Sequence, residues 1–158
     1  MVTAEATTAQ VRTTIAGIPD LVGTELGTSS WRTISQEEVN TFADLTGDHN
    51  PIHLDAEAAA RTPFGTTIVH GYLTVSLVVP LMAEVFEVTD LGTGINYGLD
   101  KLRFPAPVPV GSRIRASVRL TEATEVAGGI QAKFDVTFEV EGQAKPACVM
   151  TMVVRYYA

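Results

Sequence analysis

Four side chains able to exchange protons or hold water crowd into one short segment, GDHNPIH, as Asp48, His49, Asn50 and His53. A carboxylate and an imidazole close together can grip one water between them, one group removing its proton while the other supplies a proton elsewhere. Addition of water across a double bond needs that division of labour. Pro51 lacks an amide donor and biases Asn50 toward extended backbone, so residues 47–53 are expected to form a shaped loop rather than regular helix. Loops set on rigid scaffolds carry a disproportionate share of catalytic side chains. Two blander readings stand beside this one. Asp48 and Asn50 can simply make turn hydrogen bonds, with His53 a satisfied polar residue. Asp48, His49, His53 and Asp55 could instead ligate a metal, but adjacent side chains around a proline turn point apart and no recognised zinc spacing is present, so no metal is expected.

A second feature is VHGYL, where His70-Gly71 opens a helix. A helix N-terminus offers unpaired amides and partial positive charge, and glycine lets a ligand carbonyl approach closely, so the Gly71 amide can donate to a thioester oxygen. A plain helix cap is the competing reading. A third feature is the set of cations Lys101, Arg103, Arg113, Arg115 and Arg119 in an otherwise acidic chain. Lys101 and Arg103 share a strand face, as do the three arginines that follow, and either set can meet phosphates or be laced by cross-strand carboxylates.

These side chains need a scaffold. The first fifteen to twenty residues are polar and small, read as a frayed or peripheral arm, with order starting near Leu21 and a single domain over residues 21–158. Ser35 and Glu38 have capping-box spacing, Ile34 and Val39 occupy the staple positions, and Gly47 supplies the stop, which predicts a helix from Gln36 to Leu45. Asp55 is placed to cap a short helix through Arg61, ended by Pro63 and Gly65. A helix from Gly71 to Phe86 is apolar on nearly every side and belongs inside something. Within it Val75, Val79 and Met82 recur at three- and four-residue steps and predict a stripe along which an apolar chain can lie.

The second half alternates with period two. Strands are expected over Ile95–Phe104, Ser112–Thr121, Ile130–Val140 and Ala147–Tyr156, with turns at Gly128-Gly129 and Glu141-Gly142, the last strand being apolar on both faces and therefore central. One long apolar helix followed by four antiparallel strands reads as α+β, a curved sheet wrapped round a helix in the manner of a hot-dog fold.

Composition agrees with one folded domain: 158 residues, 46% hydrophobic and 18% charged. The net charge of -7 argues against a nucleic-acid partner, which would need a basic face. The N-terminus shows no basic region followed by an apolar stretch, so a cytoplasmic location is expected. No membrane association is expected either, because the apolar region Ile68–Phe86 is broken by His70, Gly71, Thr74, Ser76, Pro80 and Glu84. Cys148, the single cysteine, sits in the apolar run ACVMTMVV and reads as a buried, inert thiol.

Taken together, FADLTGDHNPIHLDAEAAA and FGTTIVHGYLTVSL resemble the signature of MaoC-like R-specific enoyl-CoA hydratases, and the resemblance continues through INYGLDKLRFPAPVPVGSRIRA and KPACVMTMVVRY. It implies a hot-dog homodimer with an acyl-CoA thioester bound at or near the subunit interface and no cofactor. In that picture His53 activates a water, Asp48 exchanges a proton with the substrate α-carbon, Asn50 helps hold the water, and the Gly71 amide polarises the carbonyl. Val75, Val79, Met82, Asn96, Lys101 and Arg103 are the substrate-binding candidates. The reaction run backwards is that of a 3-hydroxyacyl thioester dehydratase, so a dehydratase subunit acting on acyl carrier protein is the nearest alternative. A hot-dog protein that binds acyl thioesters without turnover is the alternative outside enzymes.

Overall fold

The structure, a computed structural model, describes residues 9–158. The part of the expected N-terminal arm that falls in residues 1–8 lies outside them. Packing begins earlier than Leu21: β1 (Val11–Thr13) is followed by a 3₁₀ helix, Ile15–Leu21, whose Ile18 is fully buried. The partner of β1 is a parallel strand, Phe86–Val88, lying 75 residues further along. No local pattern announces such a pairing.

Short strands β2 (Glu25–Thr28) and β3 (Arg32–Thr33) lead into α1 (Gln36–Thr46). Its capping box is complete: Ser35 Oγ accepts from the Glu38 amide at 3.2 Å, and Glu38 Oε2 accepts from the Ser35 amide at 2.8 Å. Gly47, at φ 78°, ends the helix in the left-handed region that favours glycine. Residues 47–53 are not all loop, because Pro51–Leu54 form a one-turn helix, α2. Proline at the first helical position gives up an amide that no intrahelical carbonyl would have used, so Pro51 starts this turn rather than preventing it. Asp55 Oδ1 accepts from the Glu57 and Ala58 amides, both at 2.9 Å, and caps α3 (Ala56–Ala60).

The long central helix is two helices, α4 (Gly71–Ser76) and α5 (Val78–Ala83). Pro80 has no amide to offer the carbonyl four residues earlier, and the chain adjusts at Leu77, whose amide contacts both Leu73 O and Thr74 O at 3.2 Å. Phe86 belongs to β4 (Phe86–Val88), not to the helix. The helices bury Leu77, Val78, Leu81 and Met82 but leave Tyr72 and Val79 exposed, so in a single chain one side of this unit is uncovered.

Four long strands follow: β5 (Thr93–Arg103), β6 (Arg113–Val126), β7 (Gly129–Val140) and β8 (Cys148–Tyr157). They form an antiparallel sheet in the order β2-β6-β7-β8-β5, with β3 also on β6. Register explains the core. Ala116 faces Phe138, Val118 faces Val136 and Leu120 faces Phe134, all fully buried, while Arg115 lies opposite Glu139 on the other face. Phe134 and Tyr156 close round Phe86 at 5.6 and 6.3 Å between ring centroids. The result is a curved sheet over α4 and α5, the α+β hot-dog arrangement. Among the described residues no helix is long and apolar enough to cross a membrane.

Candidate active site

Segment 67–70 brings the two halves of the site together. The Ile68 amide donates to Ile52 O in α2 at 3.0 Å, and the Val69 amide donates to Val108 O at 2.8 Å, so the chain entering α4 is held against α2 on one side and the 108–110 segment on the other. Gln36, at the first turn of α1, adds two more links: its Nε2 donates to His53 O at 2.8 Å and its Oε1 accepts from Thr67 Oγ1 at 2.9 Å.

His53 is therefore fixed as well as buried. Its Nδ1 lies 2.7 Å from Ile68 O, and a carbonyl can only accept, so Nδ1 carries the proton and Nε2 is left with a free lone pair. Burial, the largest influence, together with repulsion from His70, pushes the His53 pKa below its usual value of 6.5, against the opposing effects of the Ile68 bond and Asp48. The ring is held as a neutral base.

Asp48 lies on the loop before α2, half exposed, with its backbone carbonyl 3.0 Å from His70 Nε2 and its carboxylate 4.0 Å from the same nitrogen. Ligating atoms of Asp48, His53 and His70 all lie within 4.8 Å of one another. His49 and Asp55 do not join them: His49 turns to Asp44 Oδ1 at 2.9 Å, and Asp55 is consumed as a helix cap. The four-residue metal reading thus loses two of its members. In the cluster the structure does form, Asp48, His53 and His70, the two imidazoles stack face to face, 3.8 Å between centroids at 29°, which does not aim two in-plane lone pairs at one ion. The arrangement suits proton exchange better than ligation.

Asn50 is exposed, and its Oδ1 caps α2 by accepting from the Ile52 amide at 3.2 Å, which leaves its NH₂ group for a water. Gly71 starts α4, where its amide has no acceptor among the described residues. A cavity of about 370 Å³ opens beside Gly71, with His53, Thr74, Val69 and Phe104 also in its wall; Asn50 does not line it. A Cβ on Gly71 would come within 2.9 Å of the Phe104 ring, so glycine keeps this mouth open.

The substrate-binding candidates divide. Val79, Met82 and Asn96 share the wall of a second cavity of about 360 Å³ with Phe86, Leu91 and Tyr156, whereas Val75 is half-buried against the core and lines neither cavity. Of the cations, Arg113 pairs with Glu141, Arg115 with Glu139 at 2.8 Å and Arg119 with Glu25 at 3.3 Å, which is the cross-strand lacing. Lys101 and Arg103 are exposed and have no carboxylate partner among the described residues. His70 is the site residue that motif reasoning passed over. It was visible as the neighbour of Gly71, but its stacking on His53 depends on the Ile52–Ile68 contact, which spacing does not reveal.

An antiparallel sheet curved round a split helix, with an aspartate and two histidines converging at the start of that helix, defines a hot-dog protein with a candidate acid/base site. The model of the MaoC-like domain matches residues 18–142, and the chain belongs to this family of hydratases and dehydratases. It is 52% identical over 145 residues to 3-hydroxyacyl-thioester dehydratase Z of Mycobacterium tuberculosis, covering 91% of this chain and 96% of that one. It is 41% identical over 88 residues to the (R)-specific enoyl-CoA hydratase of Aeromonas caviae, covering 56% of this chain and 63% of that one. Among solved structures, the A. caviae (R)-hydratase superposes with a TM-score of 0.67 at 32% identity, covering 78% of this chain and 89% of that one.

Proposed function

We propose that the protein catalyses reversible addition of water to trans-2-enoyl thioesters, giving (R)-3-hydroxyacyl thioesters. The observation that carries this reading is the His53 ring, pinned through Nδ1 with its Nε2 lone pair free, beside the Asp48 carboxylate. In the hydration direction His53 takes a proton from water, the hydroxide adds to the β-carbon, and Asp48 passes a proton to the α-carbon. Transfer of the His53 proton to Asp48 restores the pair, so water is the only molecule consumed. The Gly71 amide receives the charge that develops on the thioester oxygen, where a fixed donor in a dry site is worth most. Loss of the enoyl absorbance of crotonyl-CoA on adding the protein, with chiral analysis of the product, tests the reading; a folded protein that binds the thioester without turnover would reduce it to a binding module.

The greater likeness to a 3-hydroxyacyl-thioester dehydratase supports dehydration as the working direction, with acyl carrier protein as a second possible carrier. Comparison of crotonyl-CoA with its carrier-protein counterpart separates the two. Lys101 and Arg103, exposed near the mouth residue Phe104 and unpaired, are assigned to the phosphates of coenzyme A. A remote contact of this kind binds ground and transition states alike, so Arg103→Ala is expected to raise KM for crotonyl-CoA roughly 2- to 5-fold with kcat unchanged. An unchanged KM in folded protein would leave these cations as plain surface.

The acyl chain is assigned to the α4–α5 side, running from Gly71 toward the cavity lined by Val79, Met82 and Asn96. Val79→Phe is then expected to lower kcat/KM for long enoyl-CoAs by about 10-fold or more relative to crotonyl-CoA, the scale on which hydrophobic pockets discriminate. Equal treatment of long and short chains by the variant would mean that Val79 does not line the acyl site.

A further inference from the structure

His70 does something specific in this site. It is 2% exposed, its Nε2 lies 3.0 Å from Asp48 O, and its Nδ1 is buried without a partner. The carbonyl accepts, so Nε2 carries the proton; a second proton on Nδ1 would be buried with no acceptor. His53 has the opposite arrangement, with its proton on Nδ1. Two stacked imidazoles thus carry opposite tautomers, each set by a different backbone carbonyl. Phe42 lies against the His70 ring at 5.0 Å, so the groups against the ring are His53, Asp48 and Phe42, while Thr74 Oγ1 and N both donate to the His70 backbone carbonyl.

The rest of the Asp48 loop is held by near neighbours in sequence. The Asp48 amide donates to Thr46 Oγ1 and the Asn50 amide to Asp48 Oδ1, both at 3.4 Å, the His49 amide donates to Gly47 O at 3.1 Å, and His49 Nε2 lies 2.9 Å from Asp44 Oδ1. The link to the buried interior is the His70 N–H. We propose that His70 is a positioning residue that ties the Asp48 backbone through Nε2–H and braces the His53 ring by stacking, holding acid and base at a fixed spacing through the reaction. This rests on the hydration reading above.

Two measurements test the proposal, one of them independent of turnover. With only three histidines in the chain, ¹⁵N spectra of histidine-labelled protein are readily assigned by single substitutions. At neutral pH His70 is expected to show a protonated Nε2 and bare Nδ1, and His53 the reverse; a His70 proton on Nδ1, or on both nitrogens, overturns the proposal. In the kinetic arm, His70→Phe keeps a stacking ring but loses the N–H. It is expected to lower kcat about 10-fold or more, the cost of a misplaced catalytic group, with KM little changed and the acid limb of the pH profile retained. His70→Gln can present an amide N–H to Asp48 O and is expected to recover several-fold of that loss. Parental kcat in folded His70→Phe, loss of the acid limb, or a Gln variant as slow as Phe would each refute a positioning role. If the parent fails to hydrate crotonyl-CoA, the hydration reading falls while the spectra still decide the tautomer.

Discussion

His53→Gln and Asp48→Asn are each expected to lower kcat for crotonyl-CoA hydration by roughly 10²-fold or more, the usual worth of a positioned acid or base, with binding of a saturated acyl-CoA largely preserved. Gln and Asn keep size and much of the hydrogen bonding but cannot exchange the proton. His53 and Asp48 act on one water and one developing carbanion, and their reactive atoms lie within 4.8 Å, so each variant disables a single unit. The double variant is therefore expected to be little slower than the slower single one, where independent contributions would multiply. The parent's pH profile carries the same signature. The base form of His53 is lost as pH falls through its native pKa, which burial holds below the usual 6.5, so the acid limb of kcat/KM is expected below that value and is expected to vanish in His53→Gln. Steady-state rates across pH, with calorimetric binding in parallel, provide the check. Near-parental turnover in folded Asp48→Asn would sink the mechanism, and a double variant slower by the product of the two single losses would mean that the residues do not act as a unit.

Much of this was legible in the chain because short-range physics decides it. Ser35, Glu38 and Gly47 bound α1 to within a residue of expectation, since a capping box and a left-handed stop are local chemistry. The strict alternation of Ile114–Leu120 and Phe134–Val140 identified β6, β7 and their buried face, because one side of the sheet is wet and the other packs on α5. What escaped notice depends on contacts distant in sequence. The β1–β4 pairing joins residues 75 apart. The break at Leu77 is different, because the missing Pro80 amide is a local signal that the reading of one long helix passed over. Pro51 was read by its usual effect inside helices, although its position as a first helical residue gives the opposite result. At the candidate site, Asp48, Asn50, His53 and Gly71 are proposed from residue type and neighbours. His70 is not, because its role exists only once segment 67–70 is bonded to Ile52.

The exposed edge of β5 leads to the second large expected effect. Between Thr93 and Arg103 only Leu102 is even partly buried, and Ile95, Tyr97 and Leu99 are apolar side chains standing in solvent, Tyr97 at 57%. β8 occupies one edge of this strand and nothing among the described residues occupies the other. A long, apolar, unpaired edge is a template for further strand addition, and lone proteins blunt such edges with charge, proline or bulges. Here the two register shifts against β8 leave the apolar side chains in place. The exposed Tyr72 and Val79 on α4 and α5 form a second uncovered apolar region. We assign both to a two-fold contact with a second copy, β5 pairing antiparallel with its counterpart, which would extend the sheet across the dimer and cover the cavity mouth near Phe104. In a two-fold contact one substitution is introduced twice, so Leu99→Asp places two carboxylates in the same apolar seam. The expected result is a monomer by light scattering with its far-ultraviolet dichroism intact, and kcat/KM for crotonyl-CoA reduced roughly 10-fold or more, because a site completed at an interface loses its geometry when the interface opens. A fully active monomer would detach catalysis from the interface, and a Leu99→Asp protein that stays dimeric and active would place the contact elsewhere than β5.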